Sequence, residues 1–135
     1  MSKKVEKVVQ ACNFKITTTV DGQENTVLRS GQIEELEDGF LLLYNEENAQ
    51  VSIRLGKGFA VIERQGDYSL HILLKLGKTQ EGLLGLGGSQ GKVLVQTHHL
   101  KFGLDGRAFK LAAGYDLLFG EEKQKMRLHL RAQIR

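Results

Sequence analysis

MRLHLRAQI, residues Met126 to Ile134, alternates apolar and polar side chains from end to end. Its apolar side chains share the even positions, and the odd positions carry Arg127, His129, Arg131 and Gln133. Because successive side chains of a β-strand point to opposite faces, this pattern predicts a strand with one buried face and one basic face. The preceding run AFKLAAGYDLLF, residues 108–119, has its apolar side chains at odd positions. We therefore expect two neighbouring antiparallel strands at this end of the chain.

The same period of two recurs towards the N-terminus, between short breaks that contain glycine, asparagine or aspartate. With 16 glycines and no proline, the turns must be of the types that glycine and Asx residues favour, such as Asp-Gly hairpins. Short turns without intervening helices predict an antiparallel meander, which removes its exposed edges best by closing on itself. The predicted fold is all-β, a closed antiparallel up-and-down barrel of about eight strands.

The length of 135 residues fits one domain with a single core. We expect the barrel to occupy residues 11–135, after a frayed or helical segment over residues 1–10. The lone cysteine, Cys12, has no intrachain disulfide partner and is predicted to be buried. No apolar run is long enough to span a membrane, and the N-terminus lacks the pattern of a secretory signal. These features predict a cytoplasmic protein without membrane contact.

The segment EGLLGLGGSQG, residues 81–91, is glycine-rich but matches neither phosphate-binding pattern. A P-loop needs Ser or Thr after Gly91-Lys92, where Val93 stands, and the dinucleotide pattern needs glycine in place of Gln90. We therefore predict a flexible hairpin connection. The alternative is a mobile flap over the barrel mouth, with an apolar underside formed by Leu83, Leu84 and Leu86.

Two adjacent histidines, His98 and His99, point to opposite faces of a regular strand and cannot share a metal ion there. Polar residues from Gln96 to His99 interrupt the alternation, so the strand either stays regular or contains a β-bulge or barrel corner, which would bring both rings to one side. Because the other two histidines lie on different faces, we predict no metal site and no cofactor.

Catalysis finds little support in the sequence, and we expect a non-enzymatic protein. Asp116 lies opposite the apolar face of its strand, where solvent would surround it. Glu63 and Arg64 have opposite facing, so one of them points inward, and Arg54 is a second candidate for an inward charge. An inward charge in a small barrel needs a partner or a ligand.

The leading functional hypothesis is a barrel that binds one small apolar or amphipathic ligand inside. A barrel of about eight strands has an interior just wide enough either to be filled by side chains or to hold such a ligand. The residues predicted to line the interior are Phe14, Arg54, Phe109, Tyr115 and Leu128.

The alternative uses the outer wall, by protein contacts or by weak binding of RNA or another polyanion. If the last strand pairs with the first, Lys15 joins Arg127, His129 and Arg131 in a positive stripe. The net charge of +3 is a mild cationic bias, short of the clustered charge of a dedicated nucleic-acid binder, and aromatic residues are only 7% of the chain, which disfavours base stacking. Nucleic acid is therefore the less favoured partner, and a homodimer stays open.

Six segments together suggest a known family, namely KITTTVDGQENTV (15–27), DGFLLLYNEE (38–47), VSIRLGKG (51–58), IERQGDYS (62–69), VQTHHLKF (95–102) and FKLAAGYDLLF (109–119). They resemble the uncharacterised YwiB-like β-barrel family of bacterial proteins. The resemblance extends from about Phe14 to Ile134. It implies a calycin-like, or lipocalin-like, closed barrel and brings no established activity or site.

Overall fold

Ten β-strands follow one another along residues 8–135, the part of the chain that the computed structural model describes. They are β1 (Val8–Val20), β2 (Gln23–Leu36), β3 (Gly39–Glu46), β4 (Ala49–Gly56), β5 (Phe59–Gly66), β6 (Tyr68–Lys75), β7 (Thr79–Leu86), β8 (Ser89–Asp105), β9 (Ala108–Phe119) and β10 (Glu122–Ile134). Consecutive strands pair antiparallel, and β10 also pairs with β1, so the meander closes into a barrel. The predicted up-and-down barrel is confirmed, with ten strands in place of about eight.

The strand that the sequence did not predict is β7, which lies in the glycine-rich segment. It pairs with β6 and β8, and only Gly87 and Gly88 form the turn, both with positive φ. Gly82 is buried in the sheet, where an added Cβ would lie 2.8 Å from Ile72 Cγ2. A larger side chain at that position would push against Ile72 in the core, so glycine fits this position of the strand. The prediction of a connection or flap is therefore wrong, and Leu83 and Leu86 are exposed.

The N-terminal boundary also lies earlier than predicted. β1 begins at Val8, which pairs with Glu35 of β2, so residues 8–10 belong to the barrel. The rest of the segment predicted as frayed or helical, residues 1–7, lies outside the described residues. Cys12, further along β1, is completely buried, and this burial raises the pKa of its thiol.

The barrel interior has two chemically different ends. At the end where β3 and β9 begin, the rings of Phe40, Phe102 and Phe109 pack with centroids 4.9–6.4 Å apart. We call this the apolar end. At the opposite end, where β3 and β5 finish, inward positions carry Tyr44 and Arg64. We call this the polar end. Between the two ends, aliphatic side chains fill the core.

A β-bulge interrupts β8 at the place where the sequence left a regular strand and a bulge as alternatives. The pairing of β8 with β9 shifts its register between Thr97 and His99. Before the bulge, odd-numbered residues such as Val95 and Thr97 are buried, whereas after it Leu100 is among the even-numbered side chains that pack against the core. The extra residue, His98, brings both adjacent histidines to the outer surface.

Candidate functional site

The residues predicted to line a ligand site inside the barrel belong to the packed core, with one exception. Phe14 and Phe109 are at most 1% exposed, and Tyr115 and Leu128 are 7% exposed. Arg54 is exposed instead, because its neighbours on either side in β4 take the inward positions. Its placement in the interior is therefore wrong.

The inward charge is Arg64, which protein groups hold from several sides. Its Nη2 lies 3.2 Å from Glu46 Oε2 and its Nη1 lies 2.8 Å from Asp67 Oδ1. Nη1 also donates to the carbonyl of Tyr68, and the guanidinium stacks 3.6 Å from the centroid of the Tyr68 ring. Burial opposes the charged form, but these interactions outweigh it and raise the pKa of Arg64. Its charge is satisfied within the protein.

The outer wall formed by β1, β10, β9 and β8 concentrates positive charge. Lys15 lies directly opposite Arg131, and Arg131 lies directly opposite Lys110 on the next strand. Adjacent strands are only about 4.8 Å apart, and like charges placed opposite each other destabilise a sheet. Among residues 8–135, none of the three has a carboxylate within ion-pair distance. Within that part of the chain, a row of cations without a carboxylate partner therefore crosses three strands.

Further cations on neighbouring rows extend this surface. His129 faces Ala112, and Ala112 faces Lys101 on β8, while Arg127 lies one position further along β10 on the same face. We define the basic face as Lys15, Lys101, Lys110, Arg127, His129 and Arg131. The sequence predicted four of these six residues, and the two that it missed are Lys101 and Lys110.

The β8 bulge is what adds Lys101 to the basic face. Residues with odd numbers point inward up to Thr97, and without a register shift Lys101 would continue that series into the core. With the shift, Leu100 and Phe102 pack against the core and Lys101 is exposed. A local irregularity in one strand thus determines the charge of the outer wall.

A surface groove of about 530 Å³ runs between these side chains. Lys15, Lys101, Lys110, His129 and Arg131 all line it, and the small residues Gly103 and Ala112 form part of its floor. Because glycine and alanine project so little, the longer cationic side chains stand around a depression. The lining also contains the Asp105 carboxylate and apolar residues, and the Lys and Arg side chains of the groove can donate to an anionic group.

Beside the basic face, Asp116 forms a neutralised cluster. It points outward but is only 5% exposed, and its Oδ2 lies 2.6 Å from His98 Nε2 and 3.3 Å from Lys123 Nζ. Burial alone would raise the pKa of Asp116, but the hydrogen bonds and charges of His98 and Lys123 outweigh it and lower the pKa. The basic face therefore ends on this side at His98, the bulge residue that pairs with Asp116.

The lowered pKa predicts how Asp116 contributes to stability as pH changes. A carboxyl whose folded-state pKa is lowered stabilises the fold above its unfolded-state pKa of about 3.9 and loses that contribution as pH falls through the folded value. We expect Asp116→Asn to lower the free energy of unfolding by about 1–3 kcal/mol at pH 7. Urea unfolding at pH 7 and pH 3 measures this. An equal loss at both pH values would contradict the assignment.

The remaining histidine on the barrel wall, His71, pairs with Glu63 at 2.9 Å between Nδ1 and Oε1, and both side chains are well exposed. Over residues 8–135, no group of three or more His, Cys, Asp or Glu side chains is arranged to hold a metal ion. The same residues contain no helix long and apolar enough to cross a membrane.

Fold and surface together define the class, a closed ten-stranded antiparallel barrel with a basic groove on its outer wall. A family model described as a domain of unknown function (DUF1934) matches residues 9–130, so the chain belongs to this family. It is also similar to the crystal structure of the ywiB protein from Bacillus subtilis, with a TM-score of 0.82 and 12% identity over 94% of this chain and 93% of the other. At that identity the likeness shows the fold alone. No curated protein has significant sequence similarity to the chain.

Proposed function

We propose that the protein binds a phosphate-rich polyanion on its basic face. The observation that carries this proposal is the unneutralised row of Lys15, Arg131 and Lys110 beside the groove. Such a row costs stability in the free protein, because like charges stand opposite each other on adjacent strands. A bound polyanion removes that cost and releases its own counterions.

The recognised feature is the phosphate backbone and not the bases. Phe102 lines the groove, but its ring packs with that of Phe109 in the aromatic cluster of the apolar end. Without an aromatic platform, stacking does not contribute, and binding depends on Lys and Arg contacts to phosphate. Along β10, Arg127, His129 and Arg131 recur every second residue, about 6.6–6.8 Å apart, which suits an extended chain of phosphates. The expected binding is weak and independent of base sequence.

Salt dependence tests the proposal directly. Five Lys and Arg side chains of the basic face, each releasing a counterion from a single strand, predict a slope of about −3.5 in log K against log salt. The measurement is fluorescence anisotropy of labelled oligouridylate titrated with the protein between about 50 and 200 mM NaCl. Inorganic polyphosphate, used as a competitor, distinguishes a general polyanion site from one that needs ribose. Binding that is absent or insensitive to salt would exclude the proposal.

A charge reversal locates the binding on the basic face. We expect Arg127→Glu with Arg131→Glu to weaken oligouridylate binding by on the order of 100-fold and to reduce the slope to about −2. The matched control is Arg54→Glu with Lys57→Glu, an equal change of net charge at exposed positions of β4 and the turn that follows it. A control that loses as much affinity as the test variant would show attraction by net charge alone.

The small-ligand hypothesis stays a second proposal. Core side chains such as Phe14 and Phe109 occupy the positions where an apolar ligand would lie, which favours the outer wall over the interior. Mass spectrometry of organic extracts of the purified protein tests this, because a stoichiometric apolar ligand would support the interior site. We also propose a cytoplasmic location and a non-enzymatic role, and the satisfied charges of Arg64 and Asp116 support the non-enzymatic role. A homodimer remains a proposal for sedimentation to test.

A further inference from the structure

Two residues with little or no side chain stand next to each other in the floor of the surface groove. On β9, Ala112 lies opposite Lys101 of β8. Two residues earlier on β9, Lys110 lies opposite Gly103. Ala112 and Gly103 are therefore diagonal neighbours, and an added Cβ at Gly103 would meet no atom within 4 Å. We call the open space over these two residues the Ala112 depression.

Four basic side chains surround the Ala112 depression. Lys101 and His129 lie directly opposite Ala112 on the two neighbouring strands, where Cβ atoms are about 4.5–5.5 Å apart. Lys110 lies two residues from Ala112 along β9, and Arg131 lies opposite Lys110. Such positions are about 6.6–8 Å from Ala112. Because lysine and arginine have long, flexible stems, their charged groups can meet over Ala112.

The four side chains have no acceptor of their own in the described part of the chain. Among residues 8–135, none of them has a carboxylate within ion-pair distance. All four line the same groove, so their charges and N–H donors are directed to one volume. Charges of one sign that line a cleft concentrate the potential there. An anion in the Ala112 depression can therefore accept hydrogen bonds from several strands at once.

The groove is not equally basic on its two sides. Asp105, the next residue after Gly103 on the outer face of β8, also lines it. On the opposite side, Arg131 of β10 and Lys15 of β1 continue the row of cations. A chain of phosphates that crossed the depression and continued along β8 would bring a phosphate next to the Asp105 carboxylate, and like charges repel. The depression therefore suits the end of a chain and not its middle.

The end of a phosphorylated chain differs chemically from its middle. A phosphate monoester carries a charge of about −1.5 to −2 at pH 7 and has three free acceptor oxygens. Each internal phosphodiester carries only one negative charge. Charge-assisted hydrogen bonds from four basic side chains use the additional charge and oxygens of the monoester.

We propose that the Ala112 depression binds a terminal phosphate monoester, which a nucleic-acid strand or a small molecule can supply. Lys101 and Lys110 donate to its oxygens from β8 and β9. His129 and Arg131 contact it from β10, along which the rest of a strand continues. Because the rest of the ligand lies on the same basic face, the site rests on the proposed polyanion function.

Matched oligonucleotides test for the terminal phosphate. Oligouridylate labelled at its 3′ end carries either a 5′ phosphate or a 5′ hydroxyl, and a second pair, labelled at the 5′ end, differs at the 3′ end. In fluorescence anisotropy at one salt concentration, we expect a phosphate at one of the two ends to increase the affinity about tenfold. Equal affinity of the phosphate and hydroxyl forms at both ends would overturn the terminal-phosphate site and leave the polyanion proposal standing. Absence of binding by every oligonucleotide would overturn both.

A competitor identifies the source of the phosphate. Uridine 5′-monophosphate is titrated against the bound phosphorylated strand, with uridine as the control. Competition at concentrations similar to those of the strand would identify a small molecule as the ligand. Competition only at much higher concentrations would identify a strand end, because the other phosphates of the strand then contribute to its affinity.

A steric change that leaves the charge unaltered locates the phosphate. Gly103→Leu fills part of the Ala112 depression, and the free space around Gly103 allows the strand to stay intact. We expect this variant to lose the tenfold advantage of the phosphorylated end and to bind the hydroxyl form as before. The control is Gly91→Leu, the same change at another exposed glycine of β8 with free space for a Cβ. If Gly103→Leu kept the advantage, the additional charge alone would explain it, and the proposal would be overturned.

Removal of one cation provides a second test. We expect Lys101→Gln to reduce the advantage of the phosphorylated end at least about threefold, because Lys101 lies directly opposite Ala112. The matched control is Lys92→Gln, an equal change of charge at an exposed position earlier in β8. This control should keep the advantage. An equal reduction in both variants would show a response to net charge and would overturn the assignment to the depression.

Discussion

Phe109→Ala should lower the free energy of unfolding by about 3–5 kcal/mol. Phe109 is completely buried, and its ring lies 4.9 Å from that of Phe40 and 6.4 Å from that of Phe102. These three residues come from strands β3, β8 and β9, which are fixed by backbone pairing on both sides of the cavity that the substitution creates. Because the sheet cannot collapse into that space, the loss combines the transfer of the ring with the cost of a void.

Urea unfolding followed by circular dichroism measures the loss, and thermal unfolding should show a fall of roughly 10–20 °C. The control is Phe59→Ala, the same chemical change at a partly exposed residue at the start of β5. We expect the control to lose much less than Phe109→Ala, because less of its surface leaves water on folding. Equal losses at the two positions would show that the apolar end is not closed by this cluster.

The positions and facing of the last strands were predictable because one face of each strand is buried and the other faces solvent. In β10 every even residue from Leu128 to Ile134 is buried and every odd one is exposed. The alternation in the sequence therefore shows which side chains point into the barrel. In β7 the signal is absent. Gly82 and Gly85 occupy buried positions where side chains of neighbouring strands fill the space, so hydrophobicity says nothing about the facing.

The basic face was only partly predictable for a related reason. Arg127, His129 and Arg131 belong to one strand, so their common facing follows from local alternation. Lys110 joins them through the register between β9 and β10, and Lys101 through the bulge at Thr97. Strand register and the position of a bulge depend on how two strands pair, and local alternation in one sequence does not show that pairing.

The two arginines of β4 and β5 show how facing is decided when local alternation is ambiguous. Arg54 stands between two apolar residues and Arg64 between two polar ones, and a charge is expected to point outward by default. Arg64 points inward because it lies opposite the inward Val51, and partners are available at the rim. Arg54 lies opposite Val61 and Leu41 on the outer face, where its charge reaches solvent and needs no protein partner.

Gly31→Ala should lower the free energy of unfolding by about 3 kcal/mol, the upper part of the range for overpacked cores. The reason is steric and local to the junction of β2 and β3. A Cβ at Gly31 would collide with the backbone carbonyl of Leu43 and would lie 2.5 Å from Phe14 Cε2. The carbonyl belongs to the neighbouring strand, and the Phe14 ring is held by Tyr44 at 5.5 Å, so neither has room to move away.

The appropriate comparison is Gly103→Ala, since Gly103 also lies in a long strand but an added Cβ there meets nothing within 4 Å. Alanine restricts the unfolded chain more than glycine does, so this control should be neutral or more stable by up to about 1 kcal/mol. Urea unfolding of both variants measures the difference. Because both substitutions change the unfolded chain alike, a difference of about 3 kcal/mol or more belongs to the folded barrel. If the two variants had equal stability, β2 and β3 would have to separate at Gly31 without cost, and the junction would not define the barrel wall.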